Sequence, residues 1–126
     1  MKNKIILIAF TFLFFAYESK AQEKDSIQPI SSCVSELYVA NSFSGNGDGV
    51  NDIFLPRMIG EPFTYEFTIY NRWGEVIFTT TKIDEGWTGT YKDHAQPMDV
   101  YVWTLKFTCK DEEEKYSFSG NVTLVR

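Results

Sequence analysis

Strict alternation of apolar and polar residues is the feature that most constrains what this 126-residue chain can fold into. In VYVWTLKFTC, residues 100–109, every second side chain from Tyr101 to Cys109 is apolar or aromatic, and threonine or lysine lies between them. The segments 65–71 and 116–126 repeat this pattern. Because successive side chains of a strand point to opposite faces, a period of two predicts strands that are buried on one side.

Turn residues separate the alternating segments. NRWG, residues 71–74, lies between two apolar segments and predicts a hairpin in which Gly74 adopts positive φ. After the first 21 residues we find no pattern typical of a helix. Six to eight short strands in about 90 residues predict an all-β fold, specifically an antiparallel immunoglobulin-like β-sandwich.

The N-terminus has the three regions of a secretory signal peptide. Two lysines precede thirteen uncharged, mostly apolar residues, and small residues follow at Ser19 and Ala21. The apolar stretch is too short to span about 30 Å of hydrocarbon as a helix. We therefore expect a signal peptide at 1–21, a flexible leader at 22–35 and a single domain at 36–126, with no transmembrane segment after cleavage.

The charge of the mature chain excludes some partners. Removing residues 1–21 removes three lysines and one glutamate, so the 12 basic and 17 acidic residues become nine and sixteen, a net charge of −7. This balance argues against binding nucleic acid or an anionic membrane surface. The acidic run DEEEK, residues 111–115, is interpreted as a solvated turn between strands.

The two cysteines, Cys33 and Cys109, belong to a chain that we expect to be exported. An oxidising compartment favours a disulfide between them, and closing so long a loop contributes about 4 kcal/mol in the chain-entropy model. The alternative is two separate buried thiols, because spacing in the sequence does not establish that the two residues approach each other.

A series of motifs in a defined order resembles a known family. The chain is similar to the gliding-motility-associated C-terminal domain of Bacteroidetes proteins, the type B sorting domain of the type IX secretion system, over about residues 37–126. The segments that carry the resemblance are NSFSGNGDGVNDIF (41–54), FTIYNRWGEVIFTT (67–80), GWTGTY (86–91), PMDVYVWTLKF (97–107) and GNVTLVR (120–126).

The resemblance implies a β-sandwich that the type IX machinery recognises at the outer membrane, so that the protein reaches the cell surface or the medium. Three positions depart from the family pattern. Gly45 replaces a proline, Thr88 an aspartate and Asp99 a glycine. Only a short leader precedes the domain here, whereas family members usually carry long passenger regions.

The loop GNGDGVND, residues 45–52, has three interpretations. Its spacing predicts a weak calcium site, with oxygen ligands from Ser44, Asn46, Asp48, the Val50 carbonyl and Asp52. The second interpretation, which we favour, is a structural turn in which asparagine and aspartate side chains bind backbone amides. In the third, the secretion machinery recognises the loop through the side chains of Asn46, Asp48, Asn51 and Asp52.

The sequence offers no catalytic constellation. His94 is the only histidine, and no serine or cysteine lies in a nucleophile motif, so we predict that the protein is not an enzyme. The hairpin residues Asn71, Arg72, Trp73 and Gly74 are interpreted first as structural and second as a recognition site, with Arg72 stacked on Trp73.

The alternative function is a stand-alone adhesin or carbohydrate-binding module. It would require Trp73 or Trp87 to be exposed for stacking on a sugar.

Overall fold

The computed structural model describes residues 29–126, and within this range the protein is built from strands and contains no helix. The predicted signal peptide and the first part of the predicted leader, residues 22–28, lie outside the described residues. The nine strands are β1 (Val34–Tyr38), β2 (Ser42–Ser44), β3 (Arg57–Gly60), β4 (Thr64–Tyr70), β5 (Val76–Thr80), β6 (Thr90–Tyr91), β7 (His94–Ala95), β8 (Val100–Thr108) and β9 (Lys115–Val125).

The prediction of an all-β sandwich is confirmed. The strand number exceeds the predicted six to eight because β6 and β7 form a two-residue ladder that is too short to show alternation.

The larger sheet has five strands in the order β2-β9-β8-β4-β5. The pairs β4–β5, β4–β8 and β8–β9 are antiparallel, as predicted. The pair β2–β9 is parallel, which corrects the expectation of a purely antiparallel fold. A short hairpin forces its two strands to be antiparallel, but β2 and β9 lie at opposite ends of the domain sequence, so no such constraint applies to them.

The smaller sheet pairs β1 with β3, in a register that runs from Val34 opposite Gly60 to Tyr38 opposite Arg57. Val34 is fully buried in the core and is the first residue of β1. The folded domain therefore includes residues 34 and 35 in addition to the predicted 36–126. Gly60 has a φ of 140°, and a Cβ atom there would overlap the carbonyl oxygen of Cys33. Glycine at this position lets β3 approach the start of β1 closely.

The core lies on the inner face of the five-stranded sheet. The alternating residues that the sequence assigned to one face are buried there: Tyr65, Phe67, Ile69, Tyr101, Trp103, Leu105, Phe107, Val122 and Leu124. Aromatic side chains from the connecting segments cover them, with ring centroids 5.6 Å apart for Phe54 and Phe67 and 4.8 Å apart for Trp87 and Tyr101. Burying each large side chain contributes about 1.5–3 kcal/mol, so these contacts define the fold.

The predicted disulfide is confirmed. Cys33 and Cys109 are bonded, with their Cα atoms 5.7 Å apart and a sequence separation of 76. The bond attaches the segment before β1 to the end of β8. It therefore joins the smaller sheet to the larger one covalently, at the end of the sandwich where the acidic segment 110–114 also makes its turn.

The topology places loop segments from the motifs of the resemblance at the opposite end of the sandwich. The segment 45–52 follows β2, the segment 71–75 joins β4 to β5, the segment 96–99 precedes β8, and Arg126 follows β9. Because Ser44 pairs with Val125, and Tyr70 pairs with both Val76 and Val102, all four segments lie at the same end of the sandwich. We call this end the motif end, and the end with Cys33–Cys109 the disulfide end.

Candidate functional site

The loop 45–52 is organised around the side chain of Asp52. One carboxylate oxygen of Asp52 accepts a hydrogen bond from the backbone N–H of Gly47 at 2.9 Å, and the other accepts one from Gly49 at 2.6 Å. Bonds between an ionised carboxylate and an amide are stronger than neutral ones. Asp52, at the C-terminal end of the loop, therefore fixes the backbone at Gly47 and Gly49.

Two further side chains bind the backbone two residues ahead of them. The Asn46 side-chain oxygen accepts from the N–H of Asp48 at 3.1 Å, and Asp48 accepts from the N–H of Val50 at 2.8 Å. These are Asx turns, which asparagine and aspartate form more readily than other residues. The same loop contains positive φ angles at Gly47 (76°) and Gly49 (84°), which glycine adopts at little steric cost.

This geometry supports the structural-turn interpretation of the loop. The oxygens that the calcium interpretation assigns to Asp52 and Asp48 accept bonds from loop amides, and the Val50 carbonyl accepts one from the Ser44 hydroxyl at 3.3 Å. In the described part of the chain, no group of three or more histidine, cysteine or acidic residues is placed to hold a metal ion. Calcium binding by Ser44, Asn46, Asp48, Val50 and Asp52 stays a prediction that a titration can test.

The hairpin 71–75 is organised by a single asparagine in a similar way. The Asn71 side-chain oxygen accepts from the N–H groups of Trp73 and Glu75, each at 3.0 Å, and its amide donates to the Glu75 carboxylate at 3.0 Å. Gly74 donates its N–H to the Asn71 carbonyl at 3.0 Å and has a φ of 81°. Asn71 and Gly74 therefore have clear structural roles, and together they fix the direction in which Arg72 and Trp73 project.

The two tryptophans of the carbohydrate-binding alternative have opposite environments. Trp87 is 1% exposed, and its indole N–H donates to the Thr90 carbonyl at 2.8 Å, so it belongs to the core. Trp73 is 80% exposed. The Arg72 guanidinium lies 5.4 Å from the centroid of the Trp73 ring, and its Nε lies 3.2 Å from the Asp99 carboxylate. Arg72 thus connects the hairpin to the segment before β8 while packing on an exposed ring.

Arg126 holds the motif end together, a role that sequence reasoning did not assign to it. Its Nη1 donates to the carbonyl of Gly45 at 2.7 Å, and its Nη2 donates to the carbonyls of Gly89 at 3.1 Å and Gln96 at 2.8 Å. The three carbonyls belong to three separate segments. A planar guanidinium with five N–H donors can satisfy such a set, whereas a lysine ammonium is a compact charge on a flexible stem.

Close backbone packing supports the same junction. A Cβ atom at Gly45 would lie 2.7 Å from the carbonyl oxygen of Thr88, and Gly89 has a φ of 84°. The loop 45–52 and the segment 88–89 therefore touch through their backbones beside Arg126. The only sequence signal for this junction is the co-occurrence of GNGDG, GWTG and the terminal LVR.

The structure brings most of the predicted recognition residues to one end of the molecule. Bonds through Arg126 link loop 45–52 to the segment 96–99, and Asp99 links that segment to the hairpin through Arg72.

His94, the histidine considered above as a catalytic residue, lies exposed in β7. Within residues 29–126, no helix is long and apolar enough to cross a membrane.

Comparison with known proteins identifies the class of domain that this fold and these motifs define. The family model of the CHU_C type IX secretion signal domain matches residues 37–124. The chain therefore belongs to this family of secretion signal domains. Membership implies export by the type IX system. Searches of curated proteins and of solved structures found no match.

Proposed function

We propose that this protein is a non-enzymatic sorting module that the type IX secretion machinery recognises at the outer membrane and delivers to the cell surface or the medium. The signal peptide predicted at residues 1–21 would first take the chain across the inner membrane. The observation that supports recognition most strongly is the gathering of the loop 45–52, the hairpin 71–75 and Arg126 at one end of a rigid sandwich. Loops held on a rigid scaffold are the usual place for recognition.

The candidate recognition residues divide into two roles under this proposal. Asn46, Asp52 and Asn71 bind backbone amides and shape the loops, so they act on recognition through loop geometry. Trp73 is exposed at the tip of its hairpin and is available to touch a partner directly. Val50, which the sequence suggested only as a calcium ligand, is also exposed in the loop 45–52.

The alternative function, an adhesin or carbohydrate-binding module, keeps one specific observation in its favour. Trp73 is 80% exposed and braced by Arg72, which is a geometry suited to stacking on a sugar ring. Trp87, the second proposed anchor, is buried in the core and is therefore removed from this hypothesis. A single exposed tryptophan on a convex hairpin makes a small platform for a glycan.

Export of a reporter tests the proposed function. A signal peptide, an inert reporter and residues 29–126 would be fused in that order and expressed in a host that has the type IX system. This range retains β1 and Cys33, which the core and the disulfide require. We expect the reporter at the surface or in the medium, and in the periplasm of a matched strain that lacks the translocon.

The opposite result is equally clear. A reporter that stays in the periplasm of the competent host, while the fusion is intact and its disulfide is formed, contradicts the sorting function. Binding of the purified domain to a glycan array, lost on Trp73→Ala, would favour the adhesin instead.

A further inference from the structure

We propose that an apolar patch at the motif end docks directly onto a protein component of the type IX secretion machinery. The inference rests on the proposed function and identifies the surface that carries it out. The patch, named here the valine–tryptophan patch, consists of Tyr70, Trp73, Val76, Met98, Val100 and Val102.

Strand register assembles the centre of this patch. Tyr70 of β4 pairs with Val76 of β5 on one side and with Val102 of β8 on the other. Residues that are directly opposite on adjacent strands lie on the same face, with Cβ atoms about 4.5–5.5 Å apart. Tyr70 and Val102 therefore lie side by side on one face. A register shift between Ile69 and Tyr70 precedes the pair with Val76, and the exposure of Val76 places its side chain on the same outer face. Val76 is 46% exposed and Val102 is 40% exposed, so this apolar row faces outward and not into the core.

The patch is bounded on its own sheet face. Farther toward the disulfide end, the rows on this face consist of polar side chains, with Glu66 opposite Lys106, Lys106 opposite Ser117, and Thr104 opposite Ser119. An exposed apolar surface with a polar border is the arrangement found where proteins interact. At the motif end the apolar row covers β5, β4 and β8, and it is bordered on β9 by Asn121 opposite Val102 and Thr123 opposite Val100. The apolar part of this sheet face therefore lies at the motif end.

Trp73 supplies an anchor beside this row. Trp73 projects from a hairpin, and Asn71 and Gly74 fix the backbone of that hairpin. The hairpin backbone therefore loses little conformational entropy on binding. Tryptophan and arginine are enriched among the residues that dominate binding energy, and here Arg72 packs on Trp73. Met98 and Val100, both exposed, extend the apolar surface along the segment that enters β8.

The charge distribution indicates the chemistry of the partner. The whole chain carries a net charge of −5, yet the charged groups that border the patch are bonded to neighbours. Arg72 pairs with Asp99 at 3.2 Å, and Glu75 accepts from Asn71 at 3.0 Å. The Arg72–Asp99 pair is neutral and Glu75 leaves one negative charge at the border. An apolar surface with this charge matches an apolar groove on a protein and offers no unpaired cation for phosphate groups of nucleic acid or lipid.

The direction from which the chain enters the fold agrees with this assignment. The described chain begins at Pro29 and reaches Cys33, which is bonded to Cys109 at the disulfide end. Whatever precedes the domain is thus attached at the end opposite the patch. With this polarity the patch can contact the machinery while the N-terminal segment points away from it.

Export of patch variants tests the inference in the reporter fusion described above. The variants are Trp73→Ala and the double variant Val76→Thr/Val102→Thr, which keeps β-branched residues in the strands. Phe63→Ala is the matched control, because Phe63 is an aromatic residue 67% exposed outside the patch, in the segment before β4. We expect the secreted fraction to fall about tenfold or more for the patch variants, as for loss of a binding hot spot, and to stay unchanged for Phe63→Ala.

A second measurement tests the patch independently of export, in case the patch variants disturb folding. A photo-crosslinking phenylalanine derivative at position 73 should form an adduct with a translocon component, identified by mass spectrometry and absent from the strain that lacks the translocon. The same derivative at position 63 should give no such adduct.

The outcomes separate the patch from the proposed function. A wild-type fusion that is not exported overturns the proposed function. Export of the wild type together with equal export of folded patch variants, or the absence of an adduct at position 73, overturns the patch alone. Glycan binding or concentration-dependent self-association that Trp73→Ala abolishes would also overturn it, because the patch would then have a different occupant.

Discussion

Single side chains that bind backbone amides shape both loops at the motif end. Asp52 accepts hydrogen bonds from the N–H groups of Gly47 and Gly49. The Asn71 side chain accepts them from the N–H groups of Trp73 and Glu75. In each loop, one side chain accepts hydrogen bonds from two backbone N–H groups that have no partner strand. Loss of either residue leaves these donors to water and frees the loop.

Replacing Asp52 tests this role. Asp52→Ala should lower the free energy of unfolding by about 1–2 kcal/mol, because two charge-assisted bonds at a partly exposed site are lost. Asp48→Ala, which removes one Asx bond, should cost about 0.5–1 kcal/mol. Urea denaturation of both variants provides the comparison. Equal stability of wild type and Asp52→Ala would contradict the central role of this carboxylate.

The calcium hypothesis belongs to the same loop. It predicts that millimolar Ca²⁺ raises the melting temperature, since a ligand that binds only the folded state stabilises it, and that Asp48→Ala removes the rise. Differential scanning fluorimetry in Ca²⁺ and in chelator measures this directly. Identical melting curves would rule out a calcium site and leave the structural-turn and recognition interpretations of the loop.

Tyr65 carries a buried hydroxyl that has no hydrogen-bond partner in the described part of the chain. The residue is 7% exposed, and burial raises the pKa of its phenol to about 12 from 10.0. Because an unpaired buried hydroxyl is destabilising, Tyr65→Phe should raise the free energy of unfolding by about 1 kcal/mol at neutral pH.

The pH dependence provides an internal check on Tyr65. The unfolded phenol ionises near its ordinary pKa of 10.0, whereas the folded one stays neutral until about 12. Wild-type stability is therefore unaffected by this group below pH 10 and falls between the two values, as the unfolded state becomes charged. Tyr65→Phe lacks this contribution, so its stability should decline less over that interval. Parallel declines in a denaturation series at high pH would contradict it.

Among the elements, the smaller sheet has the most specific attachment to the rest of the fold. Val34 at the start of β1 is fully buried, and the adjacent Cys33 is bonded to Cys109 after β8. β1 and β3 contribute short, partly exposed strands to the layer that covers the core. The covalent link compensates for this limited burial because it fixes the start of β1 to the residue after β8.

Removing the disulfide should therefore destabilise the whole domain. Cys33→Ala/Cys109→Ala is expected to lower the free energy of unfolding by about 4 kcal/mol, from the entropy of the long loop that it releases. Thermal denaturation of the variant, and of wild type with reductant, measures the effect. Alkylation of the denatured, unreduced wild type should leave its mass unchanged, and addition of two alkyl groups would contradict the bond.

At the scale of the whole molecule, Arg126 connects segments that are distant in sequence. Its guanidinium bonds to the carbonyls of Gly45, Gly89 and Gln96, while β9 holds its backbone in the sheet. The motif end is therefore a single assembly whose shape depends on the last residue of the described chain. Its recognition should depend on this residue even though the core does not.

Arg126→Ala tests that dependence by hydrogen exchange. Amides in segments 45–52 and 88–97 should exchange about tenfold faster, equivalent to losing roughly one charge-assisted bond, while β4 and β8 stay protected. Arg126→Lys is the matched control, because it retains the charge but cannot reproduce the planar set of donors. Unchanged exchange in Arg126→Ala would show that the loops keep their positions without the guanidinium.

Much of this fold was predictable from the sequence because the relevant information is local. Alternation in residues 100–109 establishes which side chains share a face, since this depends only on strand geometry. The hairpin at 71–74 follows from the backbone preferences of asparagine and glycine. The ordered motifs were sufficient to indicate the family. The expected export of the chain favoured the disulfide over two separate thiols, and the structure confirms the bond.

Other features depended on contacts between residues far apart in the chain, which only the tertiary structure decided. No local signal in the sequence predicts that β2 pairs in parallel with β9. Nor does one predict that Trp87 is buried while Trp73 is exposed, or that the Tyr65 hydroxyl has no hydrogen-bond partner among the described residues. The three carbonyls bound by Arg126 come together only after the sheets have packed. Local geometry thus determines strands and turns, whereas the burial of a particular side chain depends on which distant segment covers it.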